Sequence, residues 1–260
     1  MSRNFELLQK SEMERELRKR EFRPPLDLVG NRVSEPVAGR ADDKRPKLAM
    51  DDSSRAEIHK LVESLFLQPG ASRVVVFSGV ASGEGCSWIT ARAAEALAAQ
   101  VPDSVCVVDA NFRSPALHDY FGVENHQGLR QALSHKEQTK PFAQCLGGNL
   151  WVMTSGSPQV EGGGTVATFR QRFGEICREF DYVLIDAPAL TLSDDAIAVA
   201  TAAADGIALV LEANVTSRSA AMKVVQDIEK AKTRLLGAVL NKRTFAIPVQ
   251  IYRRLPFRSS

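Results

Sequence analysis

Gly79, Gly83, Gly85 and Ser87 lie between the apolar run at 74–77 and a helical pattern that begins near Cys86. Glycines in such a loop let successive backbone N–H groups turn inward around an anion, and the positive end of the following helix adds to the attraction. The chemistry suggested is phosphate binding. Ser82, Gly83, Glu84, Gly85, Cys86, Ser87 and Trp88 would surround the phosphates of a nucleoside triphosphate, with the Ser87 hydroxyl on Mg²⁺. A loop of this kind ordinarily carries a lysine directed at the β and γ phosphates, and here that position is Cys86. A unit charge ~4 Å from a phosphate oxygen contributes on the order of 4 kcal/mol at an effective dielectric of ~20. Losing it is enough to cripple phosphoryl transfer, whereas backbone and metal contacts could still retain a nucleotide. The spacing departs as well, because Gly79 stands six residues before Gly85 and the position five before it is Val80. From the loop alone, an ordinary glycine-containing turn between strand and helix is an equal reading.

Two acids share this setting. Val105-Cys-Val-Val-Asp109 and Tyr182-Val-Leu-Ile-Asp186 each read as a buried strand ending in an aspartate. An aspartate just past an apolar strand and facing a phosphate loop can reach Mg²⁺ directly or through water. Either acid alone could equally cap the segment that follows it. The ordered set of loop, Asp109 and Asp186 favours function, and makes these two the candidate catalytic residues and, with Ser87, the candidate metal ligands. Arg113 offers positive charge near a phosphate, or a salt bridge that positions Asp109. A helix N-terminus lowers thiol pKa values, which raises the question of a nucleophilic Cys86. No histidine neighbours it in sequence, and simple loss of the lysine is the favoured reading.

These residues need a scaffold that gathers them. Ile58, Leu61, Val62, Leu65 and Phe66 recur at helical spacing, with Glu57, Lys60 and Glu63 on the other face. Short apolar strands follow at 74–77, 105–108, 150–153, 182–185, 207–211 and 236–240, separated by helices near 86–100, 128–134, 165–179, 193–203 and 217–232. Strands that read as nearly continuous Val, Ile and Leu, alternating with helices, predict an α/β fold whose central sheet is mostly parallel and covered by helices on both faces. Ligands in such folds sit at the carboxyl ends of the strands, so the loop, Asp109 and Asp186 should share one edge. The expected organisation is a charged, mostly disordered tail over 1–55, a domain over 56–243 and a basic tail over 244–260. Phe5, Leu8, Met13 and Leu17 could line a short docking helix in the first tail, although a solvated segment is favoured. The basic cluster of Lys242, Arg243, Arg253, Arg254 and Arg258 suits an anionic membrane or acidic partner less well than simple solvation.

The whole chain narrows the function classes. Its 260 residues carry a formal net charge of only +2, which argues against a protein built chiefly to bind nucleic acid. Cys86, Cys106, Cys145 and Cys177 are far apart and suggest neither a zinc site nor a disulfide framework, and they fit a reducing cytoplasm. No signal core is visible at the N-terminus, and the apolar stretch at 196–211 is broken by Asp205 and Gly206.

The residues from Asp109 to Leu129 resemble a family segment, D-x-D-x-R-x-P-x-x-H-x-x-F-G-x-x-N-x-x-G-L, through Asp109, Arg113, Pro115, His118, Phe121, Gly122, Asn125, Gly128 and Leu129. The family is the cytoplasmic ATP-binding domain of bacterial tyrosine kinases, within the MinD and ParA group of P-loop ATPases, and the likeness runs from about Glu57 to Arg243. The resemblance implies that fold, ATP and Mg²⁺ as cofactors, and Asn241 against the adenine. The residue itself offers a donor and an acceptor at a strand end, which suits a base edge or an ordinary turn. The resemblance also implies service to capsule or exopolysaccharide synthesis, a membrane chain-length (co-polymerase) protein as partner that recruits the domain to the inner face of the membrane, and homo-oligomerisation.

The departures bear on activity. Cys86 replaces the lysine, and Asn111 replaces the second acid of the D-x-D pair; an amide cannot accept a proton as a carboxylate does. Ser157–Gly164 replaces a proline-rich segment, Tyr252 is what remains of a tyrosine cluster, and Glu57, Lys60 and Glu63 depart from an E-x-x-R-x-x-R assembly helix by reversing its last charge. The expectation is a weakly catalytic or non-catalytic regulatory relative of the kinases. An active ATP-dependent tyrosine autokinase and a MinD- or ParA-like positioning ATPase are the alternatives.

Overall fold

A computed structural model describes residues 50–134, 139–158 and 166–243. The expectations placed on residues 1–49 and 244–260, Tyr252 among them, and on most of the glycine-rich 157–164 segment, lie outside the described residues. The first helix, α1 (Asp52–Val62), starts where Asp51 accepts a hydrogen bond from the Ser54 amide at 3.0 Å, an N-cap that satisfies one of the free N–H groups of the first turn. A π turn over Glu63–Leu67 continues it and buries Leu65 and Phe66. The chain then runs through β1 (Val74–Gly79), α2 (Cys86–Ala98), β2 (Val105–Asp109), α3 (Leu117–Phe121) and α4 (Leu129–Ser134). There follow β3 (Gln144–Gly147), β4 (Leu150–Met153), α5 (Val166–Glu179), β5 (Tyr182–Asp186), α6 (Asp195–Ala203), β6 (Gly206–Glu212), α7 (Arg218–Lys230) and β7 (Leu235–Asn241).

The strands form one sheet in the order β3-β4-β2-β5-β1-β6-β7. All neighbours pair in parallel except β3 and β4, which are antiparallel. The mostly parallel sheet is as the sequence predicts; the antiparallel edge is not. Strand β3 is short and half exposed and has no apolar run to announce it.

Alternation along the strands divides the core into two layers. Val74, Val76, Cys106, Val108, Val183, Ile185, Ile207 and Leu209 pack on one face against Phe173 and Ile176 of α5, Ala196 and Val199 of α6, and Val224 and Ile228 of α7. Val75, Phe77, Val105, Val107, Leu184, Ala208 and Val210 pack on the other against Ile58 and Val62 of α1, Ile89 and Leu97 of α2, and Leu117 and Phe121 of α3. Both faces of the sheet are therefore dry, which is why its central strands read as unbroken apolar runs. The parallel register aligns the carboxyl ends of β1, β2 and β5, placing Phe77 and Asp109 on either side of Asp186.

Candidate functional site

The segment between β1 and α2 is tied down at both ends. The Leu190 amide donates to the Gly79 carbonyl at 2.9 Å, the Thr191 amide to that of Val80 at 3.2 Å, and the Ser78 hydroxyl to the Pro188 carbonyl at 2.7 Å. Glu84 is 3% exposed and lies inside the loop's base: its Oε2 accepts from the Ala81 amide at 3.0 Å, and its Oε1 accepts from the Thr216 hydroxyl. Glu84 therefore holds the loop rather than facing outward. Ala81, Ser82 and Gly83 form the exposed tip. Gly85 opens α2 at φ +86°, and a Cβ there would lie 2.3 Å from Nδ2 of Asn241, so a side chain is barred on two counts. The first turn of α2 carries no capping side chain, which leaves its N–H groups directed at the loop.

The two acids behave differently. Both are fully buried. Asp109 accepts the amide of Asn111 at 3.1 Å through one oxygen, and those of Ala116 and Leu117 at 3.0 and 3.1 Å through the other. Burial raises its pKa, and those three amides oppose the rise. Neither oxygen of Asp186 has a hydrogen-bond partner among the described residues. Burial, reinforced by the charge of Asp109, pushes Asp186 up to about 7; Ser87 and Cys86 approach closely enough to pull it down, without meeting full hydrogen-bond geometry.

Cys86 occupies the loop's lysine position as a partly covered thiol. Burial, then the charge of Asp186, holds its pKa well above the usual thiol range, opposite to the lowering that a helix N-terminus alone would give. A nucleophilic thiolate is therefore disfavoured. Asn111 spends its side-chain oxygen on the Ser114 amide at 3.2 Å. Arg113 is exposed and bonds no described residue, so the salt bridge to Asp109 weighed from sequence does not form. Among the described residues no group of three His, Cys, Asp or Glu side chains converges as a metal cluster.

Asn241, at the end of β7, donates from Nδ2 to the Glu84 carbonyl at 2.8 Å, so half of its amide is committed to the loop. Together with Trp88 and with Ile58 and Leu61 of α1 it lines a cavity of about 580 Å³ beside the loop. Sequence reasoning missed Thr216 and placed Lys242 with the basic tail, yet Lys242 reaches the loop carbonyl of Gly83. Contacts spanning more than 130 residues leave no local signal, and a terminal NK pair is too common to be one.

No protein-family model matches the chain. The tyrosine-protein kinase YwqD of Bacillus subtilis is 29% identical over 170 residues, covering 64% of this chain and 71% of that protein. The chain is thus similar to proteins named bacterial tyrosine-protein kinases. The kinase etk of Escherichia coli K12 is 26% identical over 206 residues, covering 75% of this chain and 28% of that longer protein. Solved structures agree in fold: the chimerical protein CapA2B2 superposes with a TM-score of 0.67 at 23% identity, covering 78% of this chain and 88% of that one. A ParA family ATPase from Chlorobium tepidum gives 0.57 at 19% identity, over 66% and 75% of the two chains. MinD from Pyrococcus horikoshii, in complex with Mg-ADP, gives 0.56 at 21%, over 70% and 76%. The chain therefore shares the fold of the MinD and ParA ATPases. Among its described residues no helix is long and apolar enough to cross a membrane.

Proposed function

We propose that the chain is a weakly catalytic or non-catalytic relative of the tyrosine kinases of capsule and exopolysaccharide synthesis. It binds Mg-ATP and regulates the polysaccharide assembly machinery through a membrane chain-length (co-polymerase) protein. The observation that carries the reading is Cys86, a thiol set against the buried carboxyl of Asp186 where a loop ammonium belongs. The tied loop, the exposed Ala81–Gly83 tip and the uncapped start of α2 support retention of phosphate binding. Ser87 and Asp186 offer hard oxygen ligands for Mg²⁺, which when bound would offset the charge of the phosphates. Asp109 accepts three amides, which holds the strand end and the 110–117 turn in place, and the oxygen that accepts only Asn111 keeps acceptor capacity toward a metal. Asn111 in the place of a second acid removes a proton acceptor for a tyrosine hydroxyl.

The kinship with tyrosine kinases supports the choice of pathway, and the Mg-ADP complex of a structural neighbour supports the choice of cofactor. Isothermal titration with Mg-ATP and a radiolabel transfer assay on the full-length protein test the reading together. Nucleotide binding with negligible autophosphorylation is expected; robust autophosphorylation overturns it.

A further inference from the structure

The loop has lost its own cation, but a cation sits on it. Lys242 follows the last residue of β7, and its Nζ donates to the Gly83 carbonyl at 2.7 Å and to Oε2 of Glu212 at 2.9 Å. The backbone at Lys242 is left-handed, φ +54°, a conformation that non-glycine residues seldom adopt and that turns the chain back toward the loop just after Asn241 has bonded Glu84. Gly83 is at the exposed tip, and the Lys242 side chain is 47% exposed, so its ammonium is open to solvent on one side. Lys242 also lines the cavity beside the loop, together with Trp88 and Asn241. We propose that Lys242 supplies to phosphate held at this loop the positive charge that Cys86 cannot.

The inference rests on the reading of the loop as a nucleotide site. A lysine ammonium carries three donors on a flexible four-carbon stem, so side-chain rotation alone lets it trade a neutral carbonyl for another acceptor nearby. The exchange is favourable because the carbonyl is neutral and the phosphate is charged. Glu212 holds the ammonium near the tip, and its own N–H is anchored by the Thr216 hydroxyl at 2.8 Å, which joins the pair to the same clamp as Glu84. Because the charge arrives from the end of β7 and not from the first turn of α2, it suits binding better than the in-line demands of transfer. That matches a protein that keeps nucleotide and forgoes turnover.

The test is titration of full-length protein with Mg-ATP in five forms: wild type, Lys242→Met, Lys242→Arg, Cys86→Lys, and the Cys86→Lys/Lys242→Met double variant, each checked for an unchanged melting temperature. Lys242→Met should weaken binding roughly tenfold to a hundredfold, the effect of losing one charge-assisted hydrogen bond. Lys242→Arg should stay within a few-fold of wild type, and the double variant should recover. Equal weakening by Met and Arg with no rescue by Cys86→Lys makes Lys242 a structural latch and overturns the proposal, as does wild-type affinity in Lys242→Met. If wild type fails to bind while Cys86→Lys binds, the loop is a nucleotide site and Lys242 is no substitute. If neither binds, the nucleotide reading falls and the proposal with it.

Discussion

Replacing Asp186 by asparagine should stabilise the protein above neutral pH and change little near pH 4. Burial, with help from Asp109, raises the Asp186 carboxyl from 3.8 to about 7. The folded protein therefore retains a proton that the unfolded chain releases from about pH 4 upward. Below that pH both states are protonated and no penalty exists; through the window each pH unit costs about 1.4 kcal/mol, and above pH 7 the penalty is complete at about 4 kcal/mol. Asparagine has nearly the shape of the protonated acid and no charge at any pH, so the wild-type protein should fall behind the variant by about 2 kcal/mol at pH 5.5 and by about 4 kcal/mol at pH 8. Water entry and relaxation reduce these figures, and their growth with pH is the signature. Urea unfolding at pH 4, 5.5, 7 and 8, with a chelator present to keep divalent ions off the carboxylate, measures it. A difference that stays constant with pH, or a wild type that gains on the variant between pH 5 and 7, would refute the account of Asp186 as a charge without a counter-ion.

Two further outcomes follow from the same site. A thiol reagent at pH 8 should modify Cys145 quickly and leave Cys86, Cys106 and Cys177 slow in native protein, because Cys145 is exposed and the other three have raised pKa values; fast labelling mapped to Cys86 by mass spectrometry would contradict it. Gly85→Ala should destabilise the fold by about 1–3 kcal/mol through its positive φ and the clash with Asn241, read as a lowered urea midpoint, and should weaken Mg-ATP binding in titration.

The strand ends were legible because a parallel sheet buried on both faces leaves runs such as Val105–Asp109 and Tyr182–Asp186, in which the terminal acid stands out against four residues that are mostly apolar. The glycine loop was legible for the same local reason. Strand β3 was not, since an edge strand with one buried residue has no periodicity to read. Nor was the division of labour between the two acids. Whether an aspartate is satisfied depends on amides such as Ala116 and Leu117 folding back onto it, and Asp186 differs only because no such turn follows. The grip of Thr216 on Glu84 and of Lys242 on Gly83 joins residues 132 and 159 apart, a distance at which composition and spacing carry no information.

The two amides that hang from the start of the loop have a mechanical consequence. Leu190 and Thr191 bond Gly79 and Val80, and the same short segment carries Leu192, 53% exposed, into α6. The Thr191 hydroxyl adds a third bond, to the Val80 carbonyl at 2.6 Å, so moving the first residues of the loop must either break all three or drag that surface stretch along. A ligand that shifted Gly79 or Val80 would therefore be felt at Leu192 on the surface by displacement alone, a linkage that does not depend on which residue stands at position 86.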